Sequence, residues 1–245
     1  MVTIDRPAQR NALTLAMWTQ LAETFERLNA EPALRSIVLT GAGGAFCAGA
    51  DIKEFAGIRA TKTDVEAYAE TVDRCTRAIA DSPKATFAAI SGPAYGGGCG
   101  LAVACDFRVV ERNASFAIPA AKLGIVYGIE ETRALYLTVG LVTAKEMLFS
   151  GRRYLAEEAA RIGLATWLCD TDALGEAARR AAELGDSAPL SIAGSKSVLE
   201  ALTSGETPER KQKVEAITAR AMASDDYREG REAFVEKRKP RFKGR

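Results

Sequence analysis

Phe46-Cys47-Ala48-Gly49-Ala50-Asp51-Ile52 and Tyr95-Gly96-Gly97-Gly98-Cys99-Gly100 are the two stretches on which the reading of this 245-residue chain turns. Each is a small-residue turn able to aim bare backbone N–H groups at one point, and the chain contains no histidine. The pairing suggests an oxyanion hole whose chemistry works without imidazole. Strand, glycine-rich turn and helix in that order also describe a phosphate-binding loop. Residues 92–100, however, lack the Lys followed by Ser or Thr of a P-loop, and the dinucleotide fingerprint does not fit either. What remains is a helix N-terminus stripped of side chains, where free N–H groups and the helix dipole favour a negatively charged oxygen. Such donors, preset where charge develops, supply about 2.7–4 kcal/mol each to a transition state. Taken alone, the glycines equally fit a role in close helix packing.

Outward from these turns, Val2 to Asp5 reads as a short strand, and Trp18, Leu21, Phe25 and Leu28 follow the spacing of a helix with one buried face. Ser36 to Thr40 is an apolar strand closed by Gly41. Thr63 with Glu66 reads as a capping box opening a helix whose apolar side is Val65, Tyr68, Val72, Cys75 and Ile79; Pro83 stops it. Ala85 to Ile90 is another strand, Gly98 to Cys105 a helix almost without charge, and Phe107 to Val110 returns to the sheet after Asp106. This alternation predicts an α/β fold with parallel strands and right-handed crossovers. After about residue 140 the pattern turns helical: Thr143 with Glu146 caps one helix, Ala156 to Ile162 forms another, and Thr166 to Cys169 is a last short strand. From Pro189 onward the chain reads as helix only, rich in Lys, Arg and Glu, a tail expected to pack on another copy of itself.

The composition, 47% hydrophobic and 27% charged, fits one enzyme-sized core plus a smaller appendage. The 33 basic and 32 acidic side chains nearly cancel, leaving no broad electrostatic footprint for nucleic acid or an anionic membrane surface. Five cysteines, at 47, 75, 99, 105 and 169, form neither a close-spaced metal pattern nor an even disulfide framework, so no metal site and reduced thiols are expected. Apolar runs are interrupted well before a spanning length and no signal-peptide layout is present, which points to the cytoplasm.

Several segments, in order, closely resemble the crotonase (enoyl-CoA hydratase/isomerase) superfamily over essentially the whole chain. They are Arg10-Asn11-Ala12-Leu13; Phe46 to Lys53; Gly92 to Gly100 with Cys105 and Asp106; Leu123-Gly124; and Phe234 to Lys239. The resemblance implies a crotonase-type spiral of ββα repeats over residues 1–185 and a C-terminal helical trimerisation region over 186–245, with homotrimers or dimers of trimers. It implies an acyl-CoA thioester as substrate, coenzyme A being part of that substrate with no tightly bound cofactor. By position, the two oxyanion donors are the N–H groups of Ala50 and Gly97. Arg10, Ala48, Asp51, Ile52 and Lys53 would lie near the adenine and pyrophosphate, with Phe234 and Lys237 contributing from the tail.

The chain departs from that pattern where the hydratases carry two glutamates that hold and activate water: the positions are Gly100 and, after Pro119, Ala120. Neither can carry a proton. The oxyanion hole without that pair should still stabilise a thioester enolate. Candidate replacements lie between Leu123 and Arg133. Tyr127 resembles the pocket tyrosine of the methylmalonyl-CoA decarboxylase branch, although that branch carries histidine where this chain has Ala50. Glu130 is the candidate base of an isomerase. Glu130 and Glu131 both open a helix, where the dipole favours carboxylates, and at most one of them should reach the substrate. Ile118, Leu123, Ile125 and Val126 imply a small, mostly apolar pocket. Three readings follow: a hydratase/isomerase-like lyase, a malonyl-type decarboxylase, and a non-catalytic acyl-CoA binder.

Overall fold

Val2–Ile4 (β1) and Ser36–Gly41 (β2) pair in parallel, with helix Leu15–Ala30 (α1) crossing between them. The computed structural model describes residues 1–205 and 207–245. Next come Phe55–Ile58 (α2), Lys62–Ala80 (α3), Ala85–Ile90 (β3), Pro93–Tyr95 (β4), Gly97–Ala104 (α4), Phe107–Glu111 (β5) and Ser115–Ala117 (β6). Ile129–Ser150 (α5), Tyr154–Leu155 (β7), Ala156–Arg161 (α6), Trp167–Cys169 (β8) and Ala173–Gly185 (α7) complete the sheet-bearing part. Three helices follow: Pro189–Ser204 (α8), Pro208–Met222 (α9) and Asp225–Glu236 (α10). Among the described residues, no helix is long and apolar enough to cross a membrane.

The main sheet runs β1-β2-β3-β5-β8, every pair parallel. Its central strands are apolar runs because both faces are covered. On one face Trp18 and Phe25 of α1 and Ile79 of α3 join Leu39 and Ile90 in the larger core. On the other, Ala173, Ala177 and Ala181 of α7 pack on Val38, Phe87 and Val109. Asp106 ties the layers together: its Oδ2 accepts from Thr86 N–H at 2.8 Å and from Lys196 Nζ of α8 at 2.7 Å.

Three expectations need correction. The capping box of α3 is built by Thr61 and Asp64, two residues upstream of Thr63 and Glu66, with Asp64 N–H donating to Thr61 Oγ1 at 3.2 Å and Thr61 N–H to Asp64 Oδ2 at 2.9 Å. Thr61 has the extended backbone of a cap, whereas Thr63 is already inside the helix. Thr143 starts no helix. The break falls at Gly140, whose φ of 76° interrupts α5, and Thr143 lies within the resumed helix. A second sheet, β4-β6-β7, also stands where the sequence suggested only turns, with β4 parallel and β7 antiparallel to β6.

Candidate active site

The two small-residue turns meet. After β2 the chain folds back so that Cys47 N–H donates to the Pro93 carbonyl at 3.1 Å and Tyr95 N–H to the Cys47 carbonyl at 2.9 Å. That approach requires glycine twice. A Cβ on Gly98 would lie 2.2 Å from the Cys47 carbonyl oxygen, and Gly49, at φ +94°, would place one 3.1 Å from Gly97 N. Gly97 is the first residue of α4, where a helix offers unused N–H groups. Among the described residues, neither Ala50 N–H nor Gly97 N–H donates a backbone hydrogen bond. Both residues line one mostly apolar cavity of about 160 Å³, along with Trp18, Ile118, Tyr127 and Glu131. Two unused N–H groups on residues lining one such cavity can hold a carbonyl oxygen as it becomes an oxyanion.

Of the two neighbouring glutamates, Glu131 lines this cavity and Glu130 does not. Glu130 turns outward to Arg133, whose guanidinium donates to its Oε2 at 2.9 Å, with Arg77 at 3.9 Å from its other oxygen. Glu131, one residue further round α5, is 5% exposed, and its Oε1 has no hydrogen-bond partner. An unpartnered carboxylate oxygen in an apolar wall is costly to keep unless something else makes use of it. Burial pushes the Glu131 carboxyl up to about 7, with the nearby Asp73 charge adding to the rise. Leu135, four residues on and fully buried, marks the inward face that Glu131 shares. That spacing is the signal in the sequence that favours Glu131 over Glu130.

Gly100 shows why the carboxylate fits. A Cβ there would sit 2.3 Å from Glu131 Oε1 and 2.8 Å from the Tyr127 hydroxyl oxygen. The space a side chain at 100 would fill is thus taken by groups reaching across from α5 and the loop before it. Tyr127 Oη donates to the Gly96 carbonyl at 2.9 Å, bracing the turn that precedes Gly97. Burial raises its phenol far above the ordinary value, so it stays protonated. Cys99 is fully buried and its thiol is pushed up to about 12, which leaves it a packing residue.

Of the other positions singled out in the sequence, Ala48 and Ile52 line the cavity with Ala50, Gly97 and Tyr127, whereas Arg10, Asp51, Lys53, Phe234 and Lys237 do not. Asp51 is committed elsewhere: its Oδ2 takes a 2.7 Å ion pair from Arg6 and its Oδ1 accepts from Lys53 N–H at 3.1 Å, capping the turn Ile52–Glu54. Arg10 is exposed in the left-handed region at φ 50°, and its carbonyl accepts from Ala48 N–H at 2.9 Å. Phe234, 86% exposed, lies near the end of α10, and Lys237 ends that helix at φ 54°. Asp73 of α3, not singled out in the sequence, lines the cavity beside Glu131.

Comparison with known proteins agrees with this architecture. The family described as enoyl-CoA hydratase/isomerase matches residues 1–245. The carnitinyl-CoA dehydratase of Proteus mirabilis is 36% identical over 252 residues, covering 100% of this chain and 94% of its own length. A mitochondrial enoyl-CoA hydratase of Pongo abelii is 33% identical over 244 residues, covering 99% of this chain and 83% of its own. Among solved structures, an enoyl-CoA hydratase/isomerase family protein from Hyphomonas neptunium superposes with a TM-score of 0.92 at 36% identity, covering 99% of this chain and 93% of that one. The enoyl-CoA hydratase of Bacillus anthracis gives 0.89 at 31%, covering 99% and 94%. The chain belongs to the enoyl-CoA hydratase/isomerase family, the crotonase superfamily, and has its α/β fold.

Proposed function

We propose that this chain is an acyl-CoA enzyme that holds the thioester carbonyl between the N–H groups of Ala50 and Gly97. Glu131 moves a proton at the carbon beside that carbonyl. The observation that carries the reading is the buried, unpartnered Glu131 oxygen facing the same cavity as the two N–H groups. When a proton leaves or joins the carbon next to the carbonyl, negative charge appears on the thioester oxygen, where the two donors lie in wait. A carboxyl titrating near neutrality serves as both donor and acceptor of that proton. Hydration, dehydration and double-bond isomerisation of enoyl-CoA esters all share this step. The walls around Glu131 suit a short acyl chain, with Ala48, Ile52 and more loosely Arg10, Asp51, Lys53, Phe234 and Lys237 left for the coenzyme A portion. Exposed apolar side chains on α5 and α8, among them Leu141, Val142, Leu199 and Leu202, support assembly as a homotrimer or a dimer of trimers.

The alternative, decarboxylation of a malonyl-type ester held by Tyr127, has less support in this geometry. The Tyr127 hydroxyl proton is given to Gly96, and a substrate carboxylate placed beside it would face Glu131. The test is turnover of crotonyl-CoA (gain of water by mass), 3-hexenoyl-CoA (growth of conjugated enoyl thioester absorbance) and methylmalonyl-CoA (loss of carbon dioxide). Turnover of crotonyl-CoA or 3-hexenoyl-CoA that disappears in Glu131→Gln is the expected result. Decarboxylation alone, or acyl-CoA binding with no turnover, would overturn the reading.

A further inference from the structure

We propose that Asp73 and Glu131 form a carboxylate pair that holds one water molecule across the double bond of a 2-enoyl-CoA, in place of the side chains absent at 100 and 120. The proposal rests on the reading of Glu131 given above and adds a second catalytic residue and a particular reaction. The two carboxylates come from different elements, Asp73 from α3 and Glu131 from α5, and both line the cavity that Ala50 and Gly97 also line. They flank one point: a Cβ on Gly128 would lie 3.1 Å from Glu131 Oε2 and 3.4 Å from Asp73 Oδ1. Glycine at 128 keeps that space open. Glu131 Oε1 is buried without a hydrogen-bond partner, so one oxygen of the pair remains free to bind a donor.

The surroundings divide the roles. Glu131 faces Tyr127, Asp73 and the thiol of Cys99, with no cation touching it, and is held toward its protonated form. Burial raises the Asp73 carboxyl as well, with the Arg77 charge opposing it. Asp73 is the less buried of the two and the one with a cation nearby, so within the pair it gives up its proton first and is the base, and Glu131 is the acid. Water oxygen bonds to C3 and gives a proton to Asp73; the C2–C3 π electrons move into the thioester, whose oxygen takes the charge between Ala50 N–H and Gly97 N–H. The enolate then collapses and C2 takes the proton of Glu131. The proton on Asp73 passes to Glu131 through the next water, restoring the pair, and the net change is one water added.

Asn matches Asp in size and keeps one acceptor oxygen, so Asp73→Asn retains the packing of this side chain while removing the base. With crotonyl-CoA and the full-length protein, Asp73→Asn is expected to lower kcat by about 100-fold or more, with KM within about threefold and the melting temperature preserved. The acidic limb of the pH profile, where the wild-type base is lost by protonation, should disappear in that variant. The basic limb, where the acid is lost by ionisation, belongs to Glu131. An Asp73→Asn variant with wild-type kcat and both limbs intact, beside an inactive Glu131→Gln, would overturn this proposal and leave the role of Glu131 standing. Isomerisation of 3-hexenoyl-CoA without hydration of crotonyl-CoA would do the same. Full activity of Glu131→Gln would remove both.

Discussion

Glu130 and Glu131 are neighbours in sequence and opposites in chemistry. Glu130 faces Arg133 and solvent; Glu131 faces an apolar cavity with one oxygen unpartnered. A 100° step round a helix separates a carboxylate held by Arg133 from one that lines the cavity. Gly100 is the complement of Glu131, since a Cβ there would lie 2.3 Å from the carboxylate oxygen. Gly100→Ala is accordingly expected to displace Glu131 and Tyr127 by the best part of an ångström and lower kcat by about 10²-fold, with acyl-CoA affinity close to wild type. Steady-state kinetics beside a direct binding titration check this, and unchanged kcat would show that the carboxylate position does not matter. Gly100 and Ala120 were read directly in the sequence, as was the stretch 123–133 in which Glu131 lies. Which glutamate of that stretch reaches the cavity rests on a faint signal, the four-residue spacing of Glu131 from Leu135, because both glutamates begin the same helix and Leu135 marks the inward side only once it is seen to be buried.

Local patterns predicted the elements well where the periodicity was long. Trp18, Leu21 and Phe25 of α1 and Tyr68, Val72, Cys75 and Ile79 of α3 are buried as their spacing implied, whereas Val65, in the first turn of α3, is exposed. Short strands were less legible. β4 consists of Pro93, Ala94 and Tyr95 only, pairing with β6 across a turn that reads as glycine-rich loop, and its existence depends on a partner twenty residues away. Cap positions depend equally on context, since Thr61 and Thr63 offer the same hydroxyl and only the backbone at Thr61 is extended. The cap makes a specific expectation: Thr61→Ala should cost about 1 kcal/mol of unfolding free energy, while Thr63→Ala, exposed inside the helix, should be neutral or gain a few tenths. Denaturant melts of the two variants measure the difference, and the opposite order would return the cap to Thr63.

At the scale of the whole molecule, the α/β sheet and its layers exist to bring the end of β2, the start of α4 and the start of α5 to one cavity, and the stability of the molecule carries the mark of that arrangement. Glu131 titrates near 4.5 when unexposed to the fold and at about 7 within it, so the folded protein retains a proton that the unfolded chain has lost between those values. Its favourable contribution is complete below the lower value and is lost as pH rises through the upper one. Glu131→Gln, which cannot ionise, should therefore gain on the wild type by up to about 1.4 kcal/mol per pH unit across that window and level off above it. Urea melts at pH 5 and pH 8 read this directly, and an equal difference at both would mean that Glu131 is not held protonated. The most direct measurement of the central claim is hydrogen exchange at C2 of butyryl-CoA in heavy water, followed by mass spectrometry, for the wild type, Glu130→Gln and Glu131→Gln. Proton transfer by Glu131 predicts deuterium uptake in the first two and a loss of about 10²-fold or more in the third. Uptake that survives in Glu131→Gln and vanishes in Glu130→Gln would contradict it.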